Sequence, residues 1–159
     1  MIVSNISVPL MGLADTAMLG HLDNAIYLGA VAIGSNIIAL LYWMCAFLRM
    51  GTTSVTAQAS GAGSSQRIML HLSQNAMLAL VLGALLMMLQ TLLIPAAIAL
   101  MGPQQGLADL ALSYCSLRIY SAPAVLLTFV ATGWLLGLGK PKIPLLITVS
   151  SNVLNIGLD

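Results

Sequence analysis

Residues 68–100 read IMLHLSQNAMLALVLGALLMMLQTLLIPAAIAL, thirty-three positions with no Asp, Glu, Lys or Arg. As a helix this run rises about 50 Å, more than the roughly 30 Å of hydrocarbon in a bilayer. A soluble domain has no place for such a segment, and the rest of the chain offers nothing to cover it. Of 159 residues 60% are hydrophobic and 6% charged, with a mean hydropathy of +1.03, against about 25% charged in soluble domains. The composition is that of a polytopic membrane protein of all-α class. A net charge of +1, with its cations scattered at Arg49, Arg67, Arg118, Lys140 and Lys142, excludes a nucleic-acid partner, which needs a basic patch.

Working outward from this run, five segments are apolar enough to span a bilayer, at about 1–20, 27–48, 68–100, 107–138 and 143–159. Together they predict about five transmembrane helices of a helix bundle. Arg49 is expected to end the second span, and Pro95 to break the third. Gly51–Gln66 (GTTSVTAQASGAGSSQ) is expected to be a small, polar stretch after the second span, helix-compatible at first and turn-like over Ser60–Ser65, and Gly137–Lys142 a loop, by composition. The fifth segment is short of a full crossing, so the chain reads as part of a longer one. Arg67, Lys140 and Lys142 fall in the second-to-third and fourth-to-fifth connections, which predicts that these loops and the N-terminus are cytoplasmic. Cys45 and Cys115 lie inside apolar runs with no metal or disulfide spacing and read as packing residues.

Ionisable groups within such spans cost several kcal/mol unless they face a partner or a cavity, so they point to function. Asp15 lies fourteen positions into the first segment and Asp159 sixteen past Ile143, about 21 and 24 Å along helices that run the same way. Thr148, Ser151, Asn152, Asn155 and Asp159 recur at three- and four-residue steps. Ser4, Asn5, Gly12, Asp15 and Thr16 form a similar stripe. Two carboxylates with the Asn155 amide oxygen suit a small hard cation or a shared proton. Asp15, Asn155 and Asp159 are therefore the candidate cation-coupling residues, and metal ligands if the ion is Na+. Asn5, Thr16 and Asn152 are candidate cavity-lining residues, and Pro9 and Pro123 candidate helix kinks. Gly133 and Gly137 at i, i+4 suit close helix packing. Arg118 either snorkels to the outer interface or pairs with an acid.

Four stretches in order, Leu13–Gly20 (LADTAMLG), Ala57–Ala62 (AQASGA), Leu136–Pro141 (LGLGKP) and Asn152–Asp159 (NVLNIGLD), resemble the multidrug and toxic compound extrusion family, most closely its DinF branch. The resemblance implies a twelve-span antiporter of two six-helix lobes, of which this chain is most of the N-terminal lobe. It also implies a cation site at Asp15, Asn155 and Asp159, where H+ or Na+ binding bends the first helix and expels the drug from a central cavity.

The residues and the resemblance together predict a transporter, not an enzyme. It would export organic, often cationic, compounds in exchange for H+ or Na+, with no cofactor beyond the coupling ion. Expected partners are membrane lipid, small organic substrates and a missing C-terminal lobe, and the expected location is the bacterial inner membrane. Two alternatives stand beside this: a lipid-linked saccharide flippase of the same superfamily, and an inactive truncated membrane fragment. An intramembrane aspartyl protease using Asp15 and Asp159 is disfavoured, because Ala14 and Ile156-Gly157-Leu158 stand where its signature residues would be.

Overall fold

The computed structural model describes residues 25–102 and 105–148. Asn5, Pro9, Asp15, Thr16, Asn152, Asn155 and Asp159 lie outside the described residues. Five helices follow one another: α1 (Ala25–Met44), α2 (Phe47–Gly61), α3 (Ser65–Met101), α4 (Gln105–Arg118) and α5 (Ala122–Gly137). Residues 142–148 begin a further helix. α1 and α2 form one nearly continuous rod, as do α4 and α5, so three long helices, Ile26–Gly61, Ser65–Met101 and Gly106–Gly137, are long and apolar enough to cross a membrane.

Local chemistry sets the ends and the irregularities. α2 stops where Gly63 takes φ +66. There the N–H groups of Gly63 and Ser64 donate to the carbonyls of Ser60 and Ala59, a left-handed cap that glycine adopts without strain. Ser64 then caps α3, its Oγ accepting from the Arg67 N–H at 3.4 Å. Gly139, at φ +71, repeats this device after α5, with Lys140 N–H donating to Leu135 O at 3.0 Å. Between α4 and α5 a 3-10 turn, Ile119–Ser121, tightens the rod. Pro123 has no N–H for the Ile119 carbonyl, which Ala122 N–H takes instead. Pro123 thus follows a local 3-10 turn in the rod. The α1–α2 junction tightens in the same way, with Cys45 and Ala46 N–H donating three residues back to Tyr42 and Trp43.

Two expectations are corrected. The helix runs past Arg49 to Gly61, because the small polar residues after it pack against α5 and their hydroxyls bond internally. Thr52 Oγ1 donates to Leu48 O at 2.6 Å and Thr53 Oγ1 to Arg49 O at 2.8 Å. α3 also continues through Pro95 to Met101. A single lost hydrogen bond in a thirty-seven-residue helix packed on its neighbours does not end it.

The first and third rods run parallel and in direct contact, and the second returns against both. Ser35 pairs with Tyr114 and Tyr42 with Ser121, both 79 positions apart. Gly133 and Gly137 meet Arg49–Thr56 further along. α3 crosses in the opposite sense, its Gly83 against Pro123. Two apolar cores follow. One gathers Ile37, Ile38, Ile94, Ala111, Cys115 and Ile119, and the other Cys45, Leu48, Ala79, Leu126 and Val130. Both cysteines are free thiols within these cores, as packing residues should be. The outer surface carries large apolar side chains such as Trp43, Met88, Leu100 and Leu117, the distribution expected where lipid or further helices are the surroundings.

Candidate functional site

The polar chemistry of the described residues lies at three places along the bundle. Where α2 meets α5, a Cβ added to Gly133 would sit 2.5 Å from the Arg49 carbonyl oxygen, and one on Gly137 2.7 Å from Thr56 Cβ. The backbones approach as closely as glycine allows, so Gly133 and Gly137 serve close packing, as expected. Thr52 and Thr56 are fully buried in this seam, and Thr56 Oγ1 has no partner among the described residues.

In the other half, α1 and α4 are joined by side chains. Tyr114 Oη lies 3.0 Å from Ser35 Oγ, Tyr42 Oη lies 3.1 Å from Ser121 Oγ, and Cys115 Sγ donates to Gly34 O at 3.5 Å. Arg118 Nη1 donates to Tyr114 Oη at 2.8 Å, with its guanidinium 5.7 Å from the Tyr114 ring centre. Of the two expectations for Arg118, pairing with an acid finds no partner among the described residues. Asp109, their sole carboxylate, lies nine positions back, about 13 Å along the helix.

The third place is a cavity of about 470 Å³ between α3 and α4, lined by Gln90, Thr91, Pro95, Ser113, Ser116 and Tyr120 together with Ile94, Leu112 and Leu117. It falls within the size range of small-molecule sites and mixes apolar walls with a few polar groups. Gln90 Oε1 is buried without a partner among the described residues. Sequence reasoning passed over Gln90, although a carboxamide inside the 68–100 run costs enough to be a signal. The hydroxyl pairs left no such trace, because their partners are 79 residues apart.

The Gly63 and Gly139 turns lie at the same end of the bundle, which carries Arg67, Lys140 and Lys142. The opposite end, around Gly102 and Gln105, carries no Lys or Arg among the described residues.

Long apolar helices, a surface of lipid-compatible side chains and buried polar seams define a membrane-spanning helical bundle. The MatE family model matches residues 1–159, and the chain belongs to that family. It is 45% identical over all 159 residues to DNA damage-inducible protein F of Escherichia coli (strain K12), covering 35% of that protein. It is 30% identical over 156 residues to the probable multidrug resistance protein NorM of Caulobacter vibrioides, covering 98% of this chain and 33% of the relative. The chain therefore spans about a third of the curated relatives it matches. Its fold matches that of a MOP superfamily transporter from Pyrococcus furiosus with a TM-score of 0.86, at 24% identity over 99% of this chain and 35% of that one. It matches a MATE protein solved in complex with MaD3S with a TM-score of 0.84, at the same identity and coverage.

Proposed function

We propose that this chain is the N-terminal-lobe part of a secondary antiporter that exports organic compounds, cations among them, in exchange for H+ or Na+. The observation that carries this reading is the match of the MatE family along the whole chain, with NorM proteins named for multidrug resistance among its relatives. Asp15, Asn155 and Asp159 are the proposed seat of the coupling ion. Two carboxylates and an amide oxygen offer hard ligands to Na+, or hold a proton between like charges that cannot both ionise cheaply. Cation and cargo favour different conformations of the lobe, so inward flow of one drives outward flow of the other. The end that gathers Arg67, Lys140 and Lys142 is proposed to face the cytoplasm of a bacterial inner membrane, which puts the N-terminus inside.

The test is extrusion of a fluorescent cation from vesicles containing the full-length gene product under imposed pH and Na+ gradients. Asp15→Asn is expected to abolish gradient-driven extrusion while the protein still inserts, and the gradient that drives the native protein names the ion. Undiminished extrusion by Asp15→Asn would move the coupling site elsewhere.

A further inference from the structure

The cavity between α3 and α4 opens on the outside of the bundle, where Thr91, Ser113, Leu117 and Tyr120 are exposed. Asp109, Leu112, Ser113, Ser116, Leu117 and Tyr120 recur at three- and four-residue steps, so they share one stripe of the third rod. Asp109 is exposed and stands one turn nearer the Gly102 end than the cavity. Centred on about 30 Å of hydrocarbon, this rod of thirty-two residues overhangs by about 9 Å at each end. Asp109, three positions past Gly106, then lies in the headgroup layer, and Ser113, about 10 Å along, at its lower boundary. Gln90 of α3, eleven positions before Met101 or about 16 Å, lies just inside the hydrocarbon. Leu117 and Tyr120 continue the groove to chain depth.

Two features of the groove call for an occupant. The first is the Gln90 carboxamide, whose Oε1 is buried without a partner among the described residues, at a depth where lipid chains offer no hydrogen bond. A half-turn of the amide puts its NH2 in the same place, where it can donate to an ester carbonyl. Ser113 and Ser116 do not compete for that carbonyl, because their hydroxyls donate to Asp109 O at 3.0 Å and to Ser113 O at 2.8 Å. The second feature is the Asp109 carboxylate. No Lys or Arg lies between Ile68 and Leu117, or within α1, so at headgroup level this acid repels an anionic headgroup and attracts an ammonium. The end that carries Arg67, Lys140 and Lys142 has the opposite polarity.

We infer that this groove holds a glycerophospholipid with a primary ammonium headgroup, drawn from the leaflet at the Gly102 end. Its ammonium sits at Asp109, an ester carbonyl at Gln90, and one chain runs past Leu117 and Tyr120. A cavity of about 470 Å³ has room for the glycerol backbone and the upper part of that chain, and the remainder of the lipid stays in the bilayer. Nothing in this site depends on what the protein exports.

The test uses the full-length protein with Leu117→Trp, reconstituted in equal mixtures of phosphatidylethanolamine and phosphatidylglycerol, one or the other brominated on its chains. Quenching is read as the difference from the same protein with leucine at 117, which removes the other tryptophans. The ethanolamine lipid is expected to be favoured about threefold at this position, the range of an exposed charge pair. Asp109→Asn brings the preference to about onefold, whereas Asp109→Glu keeps it. A diester lipid is expected to be favoured about threefold over its diether analogue, the range of one hydrogen bond, and Gln90→Leu removes that second preference alone. Equal quenching by the two headgroups, or a preference untouched by Asp109→Asn, would overturn the inference. Absence of quenching by either lipid would overturn it too, because another helix would then cover the groove. Should Leu117→Trp fail to insert, Tyr120→Trp reads the same groove from its inner end.

Discussion

Toward the Lys140 turn, α2 and α5 approach through Gly133 and Gly137 until backbone meets threonine side chain. Toward Gly102, α1 and α4 are held by two hydroxyl pairs and a thiol. One pair of parallel rods is therefore closed by two kinds of physics. The glycine seam gains dispersion over a broad, dry contact and tolerates almost no added volume. The hydroxyl seam gains directed bonds that individually contribute little, because polar side chains in a membrane find other partners when a helix is released. A region built on shape is rigid and unforgiving, whereas one built on exchangeable bonds can rearrange. Arg118, bonded to Tyr114, belongs to the second kind.

Substitutions can break this comparison. The largest effect is expected for Gly133→Leu, whose Cβ alone would collide with the Arg49 carbonyl. Backbone cannot swing aside, so the loss should reach about 3 kcal/mol or more. It should appear as disappearance of the monodisperse peak in fluorescence-detected gel filtration; a normal peak would show that the seam is looser than described. Next comes Gly34→Ala, whose Cβ would meet the Tyr114 ring at 2.5 Å. A side chain can yield where a carbonyl cannot, so about 1–2 kcal/mol is expected in denaturant titration. Pairing it with Tyr114→Leu should cost less than the sum of the two single variants, and strict additivity would place the strain elsewhere.

Gly51→Ala sharpens the contrast from within the glycine-seam rod. Nothing lies within 4 Å of its Cβ, so the helix should gain up to about 1 kcal/mol from better propensity. A loss of stability would reveal a neighbour outside the described residues. The smallest effect is expected for Ser35→Ala, about 0.6 kcal/mol from one interhelical hydroxyl bond, measured in the same titration. A cost several times larger would mean that the hydroxyl seam is not the exchangeable one.

The same division explains what could be read from the sequence. α3 and α1 were legible because an uninterrupted apolar run needs no tertiary information to be a membrane helix. α2 was legible only in part: its composition is compatible with a helix, but its Thr, Ser and Gly residues carry no apolar run that would join it to the span before it. Its helicity depends on Gly133 and Gly137, some 80 positions away. Pro95 and Pro123 obey one local rule with different outcomes: α3 absorbs the lost bond, while the third rod answers with a 3-10 turn beside Gly83. Arg118 stood out as a costly charge, but its partners did not, since a tyrosine one turn back points nowhere until Ser35 is beside it. The coupling residues Asp15, Asn155 and Asp159 rest on stripe and resemblance and lie outside the described residues.

The turn at Ala62–Ser64 leaves almost no slack between two helices of thirty-six and thirty-seven residues. During synthesis these two must enter the bilayer as one helical hairpin, complete before the third rod has been made. The third rod follows, tied to α3 by the short connection between Met101 and Gln105, and must slide in alongside the first, in the same direction and with no loop joining those two. Its register is settled by contacts that only the docked pair can make, with glycine against threonine at one end and tyrosine against serine at the other. Ser35 and Tyr42 therefore wait in the membrane for partners not yet translated, and the step at risk in biogenesis is this late docking.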